Sequence, residues 1–192
     1  MNFEKENINT ENILKKLEEL HLSDDILLEQ IPNLDLYMDQ VITLFENNLA
    51  GTKRNEEDKL LTKTMINNYT KDKLLMGAVK KKYTREHIIL MILIYNLKQS
   101  IAINDIKSIL NPIVEKVGNN EKVNLEELYL KYLKIKKENS EHLKTSMQEK
   151  LDVVKENDGG LLLYILSLID MANGYRKLAE NLIDNYFPKV DK

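Results

Sequence analysis

The feature that most constrains the fold of this chain is an apolar run, "IILMILIY", at positions 88–95. Thr84 precedes the run as a helix N-cap, so the pattern predicts a helix over about residues 85–99. This run and a second one, "LLLYILSLI" at 161–169, are both shorter than the ~20 residues that cross a bilayer. A helix that is apolar on every side has to be buried. We therefore expect residues 85–99 to form the central helix of a core.

Most of the remaining sequence also has helical periodicity, and Gly and Pro are scarce. The predicted helices cover residues 10–20, "SDDILLEQ" (23–30), 34–49, about 63–72, 103–117, 124–156 and 160–186. Thr62 caps the helix at 63–72, Pro112 is expected to kink or interrupt the helix at 103–117, and "NDGG" (157–160) separates the last two. The segment "LLMGAVKKKY" (74–83) is expected to be a turn, with two very short paired strands as the alternative. The predicted fold class is all-α.

The order of these elements divides the chain into three segments. Residues 1–30 are expected to form an acidic helical N-terminal extension, and residues 31–117 a helical domain around the central helix. Residues 121–192 hold two long helices separated by a stop signal, which predicts an αα-hairpin. The first of these helices is densely charged and the second is apolar enough to cover it. We expect this hairpin to form the contact of a homodimer.

Composition and motifs argue against an enzyme or a metalloprotein. The chain has no cysteine, and its histidines, His21, His87 and His142, lie far apart. None of the usual phosphate-binding, zinc-protease or serine-hydrolase motifs is present. His87 stands in the first turn of a predicted helix, where a packing or capping role is more common than a catalytic one. We therefore expect no enzyme activity, no cofactor and no metal, and the polar, acidic N-terminus, unlike a signal peptide, favours a cytoplasmic protein.

Charge is distributed unevenly along the chain although the formal net charge is only −3. Residues 1–50 contain eleven acidic residues and three lysines. Between positions 52 and 85 the balance reverses, with ten lysines and arginines and four acids. A local excess of cations in an acidic chain indicates either a surface for nucleic acid or a solvated basic face. Charge alone does not decide between the two.

The stretch "TKTMINNYTK" (62–71) has the pattern of a helix that reads DNA. Met65, Ile66 and Tyr69 fall on one side as anchors, and the polar residues fall outward, namely Lys63, Asn67, Asn68 and Lys71. Asparagine can pair with adenine in the major groove, and each good pair discriminates by about 1–3 kcal/mol. Lysines at the two ends of such a helix, together with the lysines at 80–82, could reach phosphates. The alternative is that the two asparagines only cap the helix or face solvent.

The order of parts in this region resembles the N-terminal winged helix-turn-helix of MerR-type transcription regulators. On that comparison "MINNYTKDKLL" (65–75) matches the recognition helix, "MGAVKKK" (76–82) the wing and "YTREHI" (83–88) the start of the third helix. Residues 31–112 also resemble an uncharacterised bacterial family, catalogued as a domain of unknown function. The resemblance implies a MerR-like core with a minimal wing. The chain differs in a long connection at 50–61, a short wing without prolines, and Ser100 where a glycine is usual.

The resemblance and the charge pattern together lead to the hypothesis of a sequence-specific DNA-binding transcription regulator. Base contacts in the major groove of double-stranded DNA are assigned to Lys63, Thr64, Asn67 and Asn68. Contacts to phosphates are assigned to Tyr69, Lys71, Lys80, Lys81, Lys82 and Arg85. A symmetric dimer would present two such helices about 34 Å apart. The alternative hypothesis is a helical protein-interaction module, whose basic turn meets an acidic partner or the chain's own acidic N-terminus, and neither hypothesis identifies an effector.

Overall fold

In a computed structural model, which describes residues 10–119, 121–154 and 159–188, the protein is mostly helical. This confirms the all-α fold class. The chain divides into two compact units. The first, the hairpin unit, comprises Met1–Ser23 and Lys134–Leu178, and the second, the core unit, comprises Asp24–Leu133 and Ala179–Lys192. Residues 1–9 of the predicted N-terminal extension and the "ND" of "NDGG" lie outside the described residues.

Seven α-helices and one two-stranded sheet make up the described part of the chain. The helices are α1 (Thr10–Glu19), α2 (Met38–Leu49), α3 (Lys63–Lys71), α4 (Arg85–Leu97), α5 (Ile103–Gly118), α6 (Leu125–Val154) and α7 (Gly160–Tyr186). The strands are β1 (Leu36–Tyr37) and β2 (Lys82–Tyr83). Among the described residues, no helix is both long enough and apolar enough to cross a membrane.

Helix α4 is the centre of the core unit, as its sequence predicts. Eight consecutive residues, from His87 to Ile94, are buried, so every side of the helix is covered. Most of the surrounding cluster comes from α2, α3, α5 and the start of α6. At the far end of α4, the ring of Tyr95 meets Phe45 of α2 edge to face at 6.1 Å. Burial of this apolar run, at about 1.5–3 kcal/mol per large side chain, is the main stabilising contribution in this unit.

The two-stranded sheet is a feature that the sequence did not predict in full. Strand β1 pairs antiparallel with β2, with Leu36 opposite Tyr83 and Tyr37 opposite Lys82. The helix predicted to begin at residue 34 therefore begins only at Met38. Leu36 and Tyr83 are both buried, and this pairing across more than forty residues of chain overrides local helix propensity. A further isolated bridge joins Val79 to Lys82, so residues 74–83 contain the predicted turn, and one pair of residues stands where the alternative had two paired strands.

The helix predicted at "SDDILLEQ" is wrong, because only Leu28–Gln30 form a single 3₁₀ turn. Tertiary contacts use the carbonyl groups that a helix would need for its own hydrogen bonds. Tyr129 Oη donates to the carbonyl of Ile26 at 2.6 Å, and Arg85 Nη2 donates to that of Leu28 at 2.7 Å. The segment is thereby held extended against the core. The predicted interruption of α5 is also wrong, since that helix continues past Pro112 to Gly118.

The hairpin unit has a much smaller core than the core unit. Its buried apolar side chains, among the described residues, are Leu17, Leu151 and Tyr164. Tyr164 Oη donates to the carbonyl of Met147 at 3.2 Å, which joins α7 to α6 within this unit. Five large apolar residues at the start of α7 remain between 44% and 53% exposed: Leu162, Leu163, Ile165, Leu166 and Ile169. Within this unit α7 is therefore apolar on its covered side and also on its exposed side.

Replacing Tyr129 with Phe should lower the free energy of unfolding of the core unit by about 1–2 kcal/mol, because the buried Ile26 carbonyl loses its donor. Urea unfolding followed by circular dichroism measures the effect. Tyr132→Phe is the matched control, since Tyr132 stacks on Tyr129 at 6.2 Å but its hydroxyl has no hydrogen-bond partner among the described residues. Equal effects of the two substitutions would contradict the role of the Tyr129 hydrogen bond.

Candidate nucleic-acid interface

Helix α3 has one buried face and one fully exposed polar face. Thr62 caps it, as predicted, with Oγ1 accepting the amide of Met65 at 3.1 Å. Ile66 and Tyr69 are buried in the core and Met65 is half-buried, which matches the predicted anchors. The opposite face consists of exposed residues, namely Lys63, Thr64, Asn67, Asn68 and Lys71. This face carries two ammonium groups, two carboxamides and a hydroxyl, and it has no carboxylate.

The end of α3 places a lysine in an unfavourable backbone conformation. The amide of Leu74 donates to the carbonyl of Tyr69 at 2.8 Å and that of Lys73 to Thr70 at 3.1 Å, which is the Schellman pattern. This pattern requires a left-handed residue, usually glycine, and here Lys73 fills the position with φ 59°. Lys73 is not among the site residues that the sequence predicts. Its position between the helix end and the buried Leu74 and Leu75 is the signal that could have identified it.

The basic turn is a hairpin loop closed by a pair of backbone hydrogen bonds. Val79 and Lys82 exchange amide-to-carbonyl bonds of 2.9 Å in both directions. The two residues between them, Lys80 and Lys81, have φ values of 52° and 65°, as in a type I′ turn. Asn-Gly is the preferred pair for this geometry, so two lysines there are strained. Both are exposed, so the turn displays two ammonium groups at its tip.

Two of the predicted DNA contacts already have partners in the core unit. Lys63 Nζ lies 2.7 Å from Asp39 Oδ1, but the two side chains are 62% and 75% exposed, so the pair contributes little to stability. Lys82 Nζ lies 5.1 Å from the centre of the Tyr37 ring. This cation–π contact fixes the base of the hairpin against β1. The exposed pair of Lys63 and Asp39 is easily broken, whereas Lys82 would have to leave its contact with the Tyr37 ring.

Tyr69 and Arg85 were assigned to phosphates, and the structure places both in other contacts. Tyr69 is only 5% exposed, with Lys98 Nζ 5.5 Å from its ring centre. Arg85 binds inward: Nη1 donates to Asn33 Oδ1, Nη2 to the Leu28 carbonyl, and Nε lies 3.0 Å from Glu126 Oε1. Burial of the Tyr69 ring and the inward contacts of Arg85 remove these two side chains from the exposed basic surface.

His87 is a capping residue, as the sequence predicts, and it also holds the hairpin. Its Nδ1 accepts the amide of Thr84 at 3.2 Å, which leaves Nε2 to donate to the Gly77 carbonyl at 3.3 Å. The neutral ring fits both contacts. Burial lowers the pKa of His87 below its ordinary value of 6.5, and the Gly77 hydrogen bond and the charges of Glu86 and Asp35 only partly oppose this. His87 therefore ties the start of α4 to the hairpin as a neutral group.

Comparisons with known proteins identify one family. A family model described as "Domain of unknown function (DUF1836)" matches residues 26–132, which include α3, the hairpin and α4. No curated protein and no solved structure matches the chain. Among the described residues, no group of three or more His, Asp or Glu side chains is arranged to hold a metal ion.

Stability should fall on acidification through the titration of His87. Because burial lowers the pKa of His87 in the folded state, its contribution is complete above pH 6.5 and is lost as pH falls toward the folded pKa. His87→Gln keeps a side-chain acceptor for the Thr84 amide but cannot titrate. The difference in unfolding free energy between the two proteins, measured from pH 7.5 to 5, should shrink with falling pH. A constant difference would contradict this assignment.

Proposed function

Since the chain belongs to the DUF1836 family, whose description assigns no activity, the function has to come from the surface itself, and we propose a DNA-binding transcription regulator. Helix α3 enters the major groove as the recognition helix of a MerR-like winged helix-turn-helix, and the Val79–Lys82 hairpin is its wing. Base contacts come from Lys63, Thr64, Asn67 and Asn68. Phosphate contacts come from Lys71, Lys73, Lys80 and Lys81. The protein acts in the cytoplasm as a homodimer without a cofactor.

The observation that carries this proposal is the exposed face of α3. A short helix anchored by Ile66 and Tyr69 cannot shift without opening the core, so the backbone that carries its outer side chains is held in place. Asn67 and Asn68 are exposed together on this face, and a carboxamide matches the donor and acceptor of adenine. Lys63 and Lys71 mark its two ends at the spacing of two helical turns. This combination provides base contacts along the face and a phosphate contact, from Lys71, at its end.

Backbone strain at three lysines is a second, independent support. Lys73, Lys80 and Lys81 all have positive φ, at positions where glycine or asparagine would fit without strain. Each costs about 1 kcal/mol relative to a compatible residue, and strain of this kind is concentrated at functional sites. Between residues 61 and 83 the chain has six lysines and one acidic residue, Asp72. The strained positions thus maintain a cationic surface at the expense of stability.

Replacing Lys80 with Asn and Lys81 with Gly removes two positive charges and also relieves the backbone strain of the turn. The two changes have opposite effects on DNA binding and on stability. The Asn-Gly pair suits a type I′ turn and relieves the strain at both positions, so the variant should be more stable than the natural chain by about 2 kcal/mol. Binding to any duplex DNA should nevertheless weaken. Because each phosphate contact contributes about 0.9 to the slope of log K against log salt, the slope should fall by about two. Fluorescence anisotropy of a labelled duplex at several salt concentrations measures this slope.

The matched control removes two exposed lysines of α6, Lys137→Gln with Lys144→Gln, which changes net charge equally. This control should keep the full slope. A protein-interaction module would behave differently: duplex DNA would bind weakly, and both double variants would reduce the binding alike. That outcome would contradict the proposal and favour an acidic protein partner for the same lysines.

The exposed stripe on α7 supports the homodimer. Leu162, Ile165, Leu166 and Ile169 follow a spacing of three, four and seven residues along one side of the helix. No charge occurs between Gly159 and Ile169, so the stripe lacks any group that would select a charged partner. Antiparallel pairing of this stripe with the same stripe of a second copy places Leu162 opposite Ile169 and Ile165 opposite Leu166. A second copy would thereby supply the core that the hairpin unit lacks.

A charge inside the stripe should separate the dimer. The natural chain is expected to run at twice its monomer mass of 22.4 kDa in light scattering at micromolar concentration. Ile165→Glu should shift it to the monomer mass, because burying two opposed carboxylates at a two-fold contact is unfavourable. Val153→Glu, at a 73% exposed position of α6, is the control and should remain dimeric. A monomeric natural chain would contradict this part of the proposal.

A further inference from the structure

A groove of about 790 Å³ lies in the core unit beside the basic surface. Its lining comes from the end of α3, the segment 73–79, the first turn of α4, the end of α5 and residues 121–123. Its volume falls in the range of sites for small organic molecules. None of its lining residues has a role in the DNA contacts assigned above except Lys73.

The groove has an apolar interior and a charged rim. Leu75 and Val114 are buried, and Met76, Val117 and Val123 are half-buried, so together they form a continuous apolar surface. Several polar groups of its inner wall already have hydrogen-bond partners. Glu86 Oε2 accepts from Thr84 Oγ1 at 2.7 Å, and both ring nitrogens of His87 have partners. A sugar or an inorganic ion would therefore find few free partners inside.

The rim offers two cations for an anionic group. Lys73 and Lys122 are exposed, and neither forms an ion pair with a described residue. Glu121 also lines the groove and is exposed, so the charge of the rim is mixed. Glu86, in the first turn of α4, also lines the groove and keeps its negative charge, although Thr84 donates to one of its oxygens. The two lysines are thus the groups best able to hold a carboxylate at the mouth of an apolar groove.

We propose that this groove binds an amphipathic carboxylate, with its hydrocarbon part against Val114, Val117 and Val123 and its carboxylate at Lys73 and Lys122. The inference deepens the proposed function, since it makes the groove a regulatory site for the DNA surface. Lys73 belongs to both sites, and a bound carboxylate neutralises it. The ligand also fills the space between α3 and the hairpin, which both contact DNA. Binding of the carboxylate therefore weakens binding of DNA.

Thermodynamic linkage makes this regulation quantitative. If the carboxylate weakens DNA binding by some factor, saturating DNA weakens carboxylate binding by the same factor. Because this equality holds wherever on the chain the carboxylate binds, the valine shifts and the variants described next are what locate the site. The carboxylate affinity itself is measured without DNA, so failure of the DNA-binding proposal and failure of the groove proposal give different results.

The test uses decanoate, below its micelle concentration, as the carboxylate probe on the full chain. Calorimetry should show one saturable site per chain for decanoate and weaker binding of decanol and decylamine, which share the hydrocarbon part. Carbon-labelled valine methyl resonances should shift at Val114, Val117 and Val123, and this measurement needs no variant. Equal affinity of decanoate and decanol, or valine methyl shifts confined to other residues, would overturn the proposal.

Two variants then locate the charge and the apolar contact. Lys73→Gln with Lys122→Gln should weaken decanoate about fivefold, the effect of losing exposed ion pairs, while decanol is unaffected. Lys137→Gln with Lys144→Gln is the control and should keep the full decanoate affinity. Val117→Trp fills the groove and should abolish binding of both probes, with circular dichroism confirming its fold. Undiminished decanoate binding in the filled-groove or the lysine variant would overturn the assignment.

Discussion

Burial of α4 on all sides is the constraint on which the rest of the core unit depends. A helix with eight consecutive buried residues needs apolar neighbours in every direction. Helices α2, α3 and α5 each contribute one apolar face to this purpose, which leaves the other face of each helix polar. For α3 the inward face is Ile66 and Tyr69, so the polar residues 63, 64, 67, 68 and 71 are necessarily on the solvent side. The candidate DNA surface is thus a consequence of how the core is filled.

Side chains of the first turn of α4 hold the neighbouring loops in place. Arg85 holds the 3₁₀ segment through the Leu28 carbonyl and Asn33, and His87 holds the hairpin through Gly77. These contacts involve a cation whose charge is balanced by Glu126 and an imidazole that burial keeps neutral. A short hairpin with two strained lysines would be marginal alone. Because the hairpin is attached to α4, the most deeply buried helix, it is stabilised in a conformation that exposes Lys80 and Lys81.

Sequence patterns predicted the helices well and the long-range contacts poorly. The bounds of α3, α4 and α7 follow from caps and apolar spacing, which are local properties, and they agree with the structure within a few residues. Strand β1 could not be predicted because it exists only through pairing with β2. The role of Arg85 was missed for the same reason: a cation beside three lysines suggests a basic surface, and only the fold shows its inward partners. The left-handed conformation of Lys73 depends on the buried Leu74 that follows it.

Selection from random duplex DNA by the full chain would show whether the exposed face of α3 recognises a DNA sequence. We expect enrichment of a two-fold symmetric sequence with half-sites about one helical turn apart. The same selection with Asn67→Ala and Asn68→Ala should return DNA that is bound but no longer enriched in a common sequence. If the natural chain enriches no sequence, or the double variant enriches the same one, α3 is not the recognition element and the account is wrong.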